Sequence, residues 1–181
     1  MPVNKNIDKR NENIKIYING SFFDRDDAKI SVFDSGFLLG DGIWEGLRLN
    51  KKKWVFFEDH IKRLFEALKL VEIKFELSKD QILQELEKTR LSNDMHTDVY
   101  ARFMVTRGKK SKPFQHPDFS IYGSTYVIIM EHSKPSLKVS KRNLKLITVP
   151  QVRGLPMTQD PKLNSHSKLN CVLACIQATR V

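Results

Sequence analysis

The chain has 181 residues and a formal net charge of +10, and 40% of its residues are hydrophobic. This length fits one ordinary domain, or one small domain plus part of another, and the composition argues against intrinsic disorder. The longest apolar runs, such as Tyr126–Met130, are far shorter than the roughly 20 residues that a membrane-spanning helix needs. The N-terminus has no apolar segment of the secretory kind, so we expect a cytoplasmic protein with no membrane partner.

The positive charge makes nucleic-acid binding an alternative that has to be weighed. The lysines are scattered along the chain, and no RNA-binding or helix-turn-helix pattern accompanies them, so we expect no nucleic-acid partner. The five histidines share no spacing, and we expect no metal site. The only cysteines, Cys171 and Cys175, are four residues apart on a predicted helix and are interpreted as buried apolar thiols.

The first third of the chain is predicted to form short strands. Alternation in IKIYI stops at Asn19-Gly20, a strong signal for a hairpin turn. Four glycines then fall between Gly36 and Gly46, which indicates tight turns or close approach of the backbone to another group. The predicted strands cover residues 14–18, 21–24, 29–33 and 52–57.

Two helices and two further strands are predicted next. Asp59 is a candidate cap for a helix with a 3.6-residue apolar repeat, and Ser78 and Gln81 fit a capping box. Strands are predicted over Val99–Thr106 and Tyr126–Glu131. The order of strands, helices and strands favours an α+β fold with a mostly antiparallel sheet.

The last part of the chain is predicted to begin a second unit. Residues 133–143 are polar and basic and contain Pro135, as is typical of a linker. A strand over Leu144–Val149 and a helix over Ser167–Ala178 follow. We therefore predict a small N-terminal α/β domain at 1–132, a linker at 133–143, and the first strand and helix of an incomplete second domain at 144–181.

Several basic residues are candidates for anion binding. Arg63 lies on the polar side of a predicted helix, where its planar guanidinium can hold a phosphate or pair with Asp59 or Glu66 on the surface. Arg102 and Arg107 are five residues apart and point to opposite faces of a regular strand. A lysine that acts as a nucleophile needs a carbonyl partner, and sequence patterns alone identify none.

Three segments carry a family resemblance: YINGSFFDRDDAKISVFDSGFLLGDGIWEGLRL, FFEDHIKRLFEAL and YARFMVTRG. In order and spacing they resemble the class IV aminotransferases that use pyridoxal 5'-phosphate, a family that includes branched-chain and D-amino-acid aminotransferases and aminodeoxychorismate lyase. The resemblance runs from Ile16 to Ala178. It implies amino-group transfer between an amino acid and a 2-oxo acid, and a small domain followed by a larger, barrel-like one with the cofactor between them. We also expect a homodimer.

The resemblance implies roles for particular residues. Arg63, in HIKRL, matches the arginine that binds the cofactor phosphate. Trp44, in GDGIWE, occupies a substrate-pocket position that is often Tyr or Phe. Arg107 and Arg102 match arginines with which some members bind the substrate carboxylate.

The stretch DPKLNSHSKLNCVLACIQA departs from the family pattern at the cofactor-binding lysine. Relatives carry that lysine at the fifth position, which is Asn164 here. If the segment is helical from Asn164, Lys168 lies one turn along on the same face; if it is extended, Lys162 is the neighbour on that face. Ser165 and Ser167 as helix caps favour Lys168. In a third alternative neither lysine serves, and the protein is a binder without a nucleophile.

A second departure concerns what the family places after this helix. The carboxylate that pairs with the cofactor's ring nitrogen, and the loops that complete its phosphate site, lie beyond the position of Ala178 in the family. We therefore expect the chain alone to bind the cofactor weakly or not at all. A truncated, inactive remnant or an interaction module remains the alternative function.

Overall fold

A computed structural model describes residues 8–134 and 146–180. The strands are β1 Lys15–Ile18, β2 Ser21–Asp24, β3 Gly42–Asn50, β4 Lys53–Val55, β5 Val99–Thr106 and β6 Thr125–His132. The helices are α1 Ser35–Leu39, α2 Phe57–Leu70, α3 Lys79–Ser92 and α4 Leu169–Thr179.

The six strands form one antiparallel sheet in the order β2-β1-β6-β5-β3-β4. Helix α2 packs against β3, and α3 packs against β1 and β6. The core lies between these helices and one face of the sheet, where alternate residues such as Leu47, Leu49 and Phe103 are buried. The predicted α+β class with an antiparallel sheet is confirmed.

Local signals in the sequence located several elements correctly. The hairpin turn at Asn19-Gly20 has positive φ angles of 46° and 93°, as a two-residue turn between antiparallel strands requires. Strands Ser21–Asp24 and Val99–Thr106 have the predicted bounds. Ser78 and Gln81 form the predicted capping box at the start of α3.

The predicted strand over residues 29–33 is wrong. That segment has no regular structure, and it leads into the short helix α1, which was not predicted. The carboxylate of Asp34 accepts a hydrogen bond from the amide of Gly36 and so caps α1, and Gly40 ends it with a φ of 68°. Capping at both ends therefore stabilises a five-residue helix directly after the predicted strand.

The strand predicted over residues 52–57 is shorter than expected. It ends at Val55 because Phe56 has a left-handed φ of 52°, and α2 begins at Phe57. Asp59 consequently lies within the first turn of α2 rather than at its N-cap.

Several predictions concern the C-terminal part of the chain. Most of the predicted linker at 133–143 lies outside the described residues, as do positions 144 and 145 of the predicted strand, and residues 146–149 form no strand. Cys171 and Cys175 are exposed, so the interpretation as buried thiols is wrong. Among residues 8–134 and 146–180, no helix is long and apolar enough to cross a bilayer.

Candidate active site

Residues 163–166, here called the edge segment, lie along the start of β3. Ser165 pairs antiparallel with Ile43, and the amide of His166 donates a hydrogen bond of 2.8 Å to the carbonyl oxygen of Gly42. A Cβ atom at Gly42 would lie 2.8 Å from the carbonyl oxygen of Val105 and 3.1 Å from the His166 ring, so only glycine permits this close approach.

The edge segment is extended, so the alternative of a helix from Asn164 onward is wrong, and the extended alternative, in which Lys162 is the neighbour of Asn164 on the same face, describes the segment. Helix α4 begins at Leu169, with Lys168 as its N-cap residue and without a side-chain cap from either predicted serine. The physical reason is the sheet edge: the backbone groups of the segment are hydrogen-bonded to β3 and are not available for a helical turn.

Asn164 is joined to Trp44 by two hydrogen bonds. The amide of Trp44 donates to the carbonyl oxygen of Asn164 at 2.9 Å, and Nδ2 of Asn164 donates to the carbonyl oxygen of Trp44 at 2.8 Å. The position at which the family resemblance implies the cofactor lysine thus holds a side chain that fastens the edge segment to β3.

Arg102 and Lys168, two of the residues predicted for the site, both lie against the ring of a third, Trp44. The guanidinium carbon of Arg102 lies 4.2 Å from a ring centroid of Trp44, and Nζ of Lys168 lies 5.6 Å from it. Both distances are within the range of cation–π attraction. The indole Nε1 donates to the carbonyl oxygen of Ser165 at 3.2 Å, which fixes the ring over the edge segment. Within the described residues, neither cation has a carboxylate partner.

Arg63 pairs with Glu45, the neighbour of Trp44 on β3. Because successive side chains of a strand point to opposite faces, Glu45 faces α2 while Trp44 faces the other side of the sheet. The carboxylate of Glu45 is fully buried and accepts hydrogen bonds from Nε and Nη2 of Arg63 at 2.6 and 2.5 Å. These bonds raise the pKa of Arg63 above its usual value. Nδ1 of His60 lies 2.8 Å from the same carboxylate.

Glu45 and His60 were not predicted from the sequence, and the alternative that Arg63 pairs with Asp59 or Glu66 on the surface is wrong. A signal was present in the alternation of β3, where Glu45 shares the buried side with Leu47. A carboxylate on that side requires a cationic partner, and residues three positions apart on α2 are placed to supply one.

The two candidate lysines lie in different cavities. Lys162 and Arg63 line a cavity of about 200 Å³ between α2 and the residues that precede the edge segment. Lys168 lines another, of about 280 Å³, together with Ser165 and Ser167. Lys162 therefore lies with the predicted phosphate residue, and Lys168 lies with Trp44 and Arg102.

Arg107 is held by hydrogen bonds to Asp41 and to the backbone just after α2. It donates to both carboxylate oxygens of Asp41, at 2.7 and 3.1 Å, and to the carbonyl oxygens of Val71 and Glu72. Four of its five N–H donors are used in this way. Burial alone would raise the pKa of Asp41, but the hydrogen bonds from Arg107 and Ser35 outweigh it and lower that pKa. Arg107 reaches the end of α2 while Arg102 lies over Trp44, in agreement with the predicted opposite orientations.

The sequence of this chain matches a protein family over most of its length. Residues 42–181 fit the family described as amino-transferase class IV. The chain belongs to this class IV aminotransferase family.

Individual relatives agree with this assignment. A putative branched-chain-amino-acid aminotransferase of Methanocaldococcus jannaschii is 36% identical over 166 residues, which cover 91% of this chain and 56% of that protein. The branched-chain-amino-acid aminotransferase-like protein 1 of Arabidopsis thaliana is 31% identical over 169 residues, which cover 92% of this chain and 30% of that protein. The chain thus spans little more than half of one relative and less than a third of the other.

A solved structure has the same fold. The branched-chain aminotransferase of the thermophilic archaeon Thermoproteus uzoniensis, determined with norvaline, superposes with a TM-score of 0.79 at 20% sequence identity. The match covers 93% of this chain and 57% of that one, and the described sheet and helices correspond to the N-terminal domain of the family.

Proposed function

We propose that this chain contributes the first part of a site that transfers an amino group between an amino acid and a 2-oxo acid with the help of pyridoxal 5'-phosphate. The observation that carries the proposal is the placement of Lys168 and Arg102 on Trp44. When bound, the cofactor supplies an aldehyde that receives the amino group and a ring that delocalises the charge left on the substrate.

Arg63 is the residue that would bind the cofactor phosphate. Its Nη1 group has no hydrogen-bond partner among the described residues, because Glu45 occupies only Nε and Nη2. Lys162 lines the same cavity and adds a second positive charge. Glu66 and Asp160 also line this cavity, so the fit to a phosphate depends on the guanidinium edge of Arg63 that is unpaired among the described residues, and on its charge-assisted hydrogen bonds, rather than on a net positive charge.

Lys168 is the amine that we assign to the cofactor aldehyde because it lies on Trp44 beside Arg102. Its cavity adjoins that of Arg63, since Asp160 and Leu163 line both. Its Nζ would hold the cofactor covalently and, once released, remove the proton from Cα of the amino acid. Arg102, on the same ring of Trp44, would bind the substrate carboxylate and so orient Cα beside that amine. Lys162 is the alternative amine. Arg107 has one N–H group without a partner among the described residues, which is left for a substrate.

Trapping of the amine tests this assignment. The protein is incubated with pyridoxal 5'-phosphate, reduced with borohydride, digested, and analysed by mass spectrometry for a pyridoxyl group on lysine. A pyridoxyl group found mainly on Lys168 supports the proposal. If it is found mainly on Lys162, that residue is the amine instead. Uniform low modification of many surface lysines contradicts both.

The domain boundaries at 132 and 144, a homodimer and a cytoplasmic location also belong to this proposal. They are supported only by the chain's family and by the linker-like composition of residues 133–143. Light scattering of the purified protein measures its mass in solution and tests the homodimer.

A second candidate function, an interaction module, is favoured by the outer face of α4. Leu169, Val172, Leu173 and Ile176 form one helical stripe, and all four are exposed. The partly buried positions of this helix are instead polar or small, such as Asn170 and Gln177. If the protein forms a specific complex through this face but fixes no cofactor on Lys168 or Lys162, this second function replaces the first.

A further inference from the structure

The buried carboxylate of Glu45 binds one edge of the Arg63 guanidinium. We propose that Glu45 is a positioning residue, which fixes the guanidinium of Arg63 in the orientation that binds a phosphate group. The nature of the ligand rests on the proposed function, whereas the fixed orientation rests on the described contacts alone.

The geometry of arginine makes this arrangement selective. A guanidinium has two edges with which it can bind an oxyanion through paired N–H groups, one formed by Nε and an Nη group and the other by the two Nη groups. Glu45 occupies the first edge, with distances of 2.6 and 2.5 Å. The second edge has no partner among the described residues. Arg63 also lines the cavity that contains Lys162, so this edge is available for an anion there.

The support behind Glu45 is rigid. Its backbone lies in the middle of β3, opposite Phe103 of β5, and its side chain is fully buried. Oε2 is additionally 2.8 Å from Nδ1 of His60, which precedes Arg63 by three positions on the same face of α2. The side chain of Arg63 is 51% exposed, and without this anchor it would sample many rotamers. Ordering it before the ligand arrives removes part of the entropic cost of binding.

If Glu45 affected the anion site only through its charge, removing that charge would strengthen anion binding, which is the opposite of what a positioning role predicts. Removal of a negative charge beside an anion site strengthens anion binding by Coulomb's law. If Glu45 acts by positioning, its neutral isostere weakens anion binding although a negative charge has been removed. The sign of the change in the Glu45→Gln variant therefore separates the two effects.

Glu66→Gln is a matched control. Glu66 lines the same cavity, is exposed, and lies 4.0 Å from Lys62 rather than next to Arg63. Its substitution removes the same charge from the neighbourhood of the cavity and leaves the Glu45–Arg63 pair intact.

Isothermal titration with three probes tests the proposal: pyridoxal 5'-phosphate, pyridoxal without phosphate, and inorganic phosphate. We expect Glu45→Gln to weaken binding of both phosphate-bearing probes by about threefold to tenfold, the effect of ordering one long side chain. Binding of pyridoxal should not change. Glu66→Gln should leave the affinities for the phosphate-bearing probes unchanged or slightly raised.

A ligand-independent readout accompanies the titrations. In ¹⁵N-labelled protein, the Nε–H signal of Arg63 should be protected from exchange in the parent chain and lose that protection in Glu45→Gln. Absence of protection in the parent overturns the positioning role, as does an unchanged affinity of Glu45→Gln for both phosphate-bearing probes. An equal loss of affinity for pyridoxal shows a general structural effect and also overturns it. If the parent binds pyridoxal 5'-phosphate no better than pyridoxal, the proposed phosphate site fails, and a protected Nε–H then reports only an internal ion pair.

Discussion

Glu45 and Arg63 form an asymmetric ion pair, in which the carboxylate is fully buried and the guanidinium side chain is 51% exposed. The buried partner depends on the exposed one, because a carboxylate without a counter-charge is strongly disfavoured away from water. The residue that we assign to the cofactor phosphate is therefore also a structural residue, and its variants have to be interpreted with that in mind.

Replacement of Arg63 by alanine should destabilise the fold. The change leaves Glu45 buried without its main partner, which costs about 3–5 kcal/mol in the free energy of unfolding. Arg63→Lys keeps the charge and should cost clearly less. Urea unfolding measures both, with Lys79→Ala as the control, since Lys79 pairs with Glu58 on the surface and such pairs contribute about 1 kcal/mol or less. Equal costs for Arg63→Ala and Lys79→Ala would contradict the account.

Stability should decrease in mildly acidic solution because of His166. Burial lowers the pKa of its imidazole below the ordinary value of 6.5, and no partner for its Nε2 is found in the described part of the chain. The unfolded chain therefore binds a proton more readily than the folded one, so stability is fully present above pH 6.5 and is lost as the pH falls through the lowered pKa.

Urea midpoints at pH 7.5 and pH 5.5 test this dependence. His166→Gln should reduce the difference between the two midpoints. Some dependence should remain, because burial also lowers the pKa of His132. If the two midpoints differ as much in His166→Gln as in the parent chain, this imidazole does not cause the pH dependence of stability.

Asn164→Ala should loosen the edge segment. The variant loses the side-chain hydrogen bond to the carbonyl oxygen of Trp44 and keeps the backbone bond from the Trp44 amide. A buried or partly buried hydrogen bond of this kind contributes about 1 kcal/mol, so exchange of the Trp44 amide should become about fivefold faster. Ser167→Ala, a change at an exposed position just after the edge segment, is the control. Unaltered exchange at Trp44 in Asn164→Ala would mean that the side chain does not fasten the segment.

The sequence predicted elements whose signals are local. The capping box at Ser78 and the turn at Asn19-Gly20 are complete within four residues, and both were located correctly. Arg63 was selected by residue type and motif, but its partner was assigned incorrectly. Glu45 lies 18 residues away in sequence and is brought to Arg63 only when α2 packs on β3.

The start of α4 could not be predicted for a similar reason. Ser165 and Ser167 are good caps in isolation, but the backbone around Ser165 is paired with Ile43, 122 residues earlier in the chain. Long-range pairing along the sheet edge overrode the local preference. Lys168 reaches Trp44 from the end of an extended segment and not from the helical turn beginning at Asn164 that was one alternative.

The central claim is that Lys168 is the amine that holds the cofactor. Titration of the protein with pyridoxal 5'-phosphate, followed by absorption near the edge of the visible range, measures lysine-linked cofactor directly. We predict a weak band that is lost in Lys168→Ala and kept, with reduced affinity, in Lys162→Ala. A band that survives in Lys168→Ala and disappears in Lys162→Ala would contradict the claim.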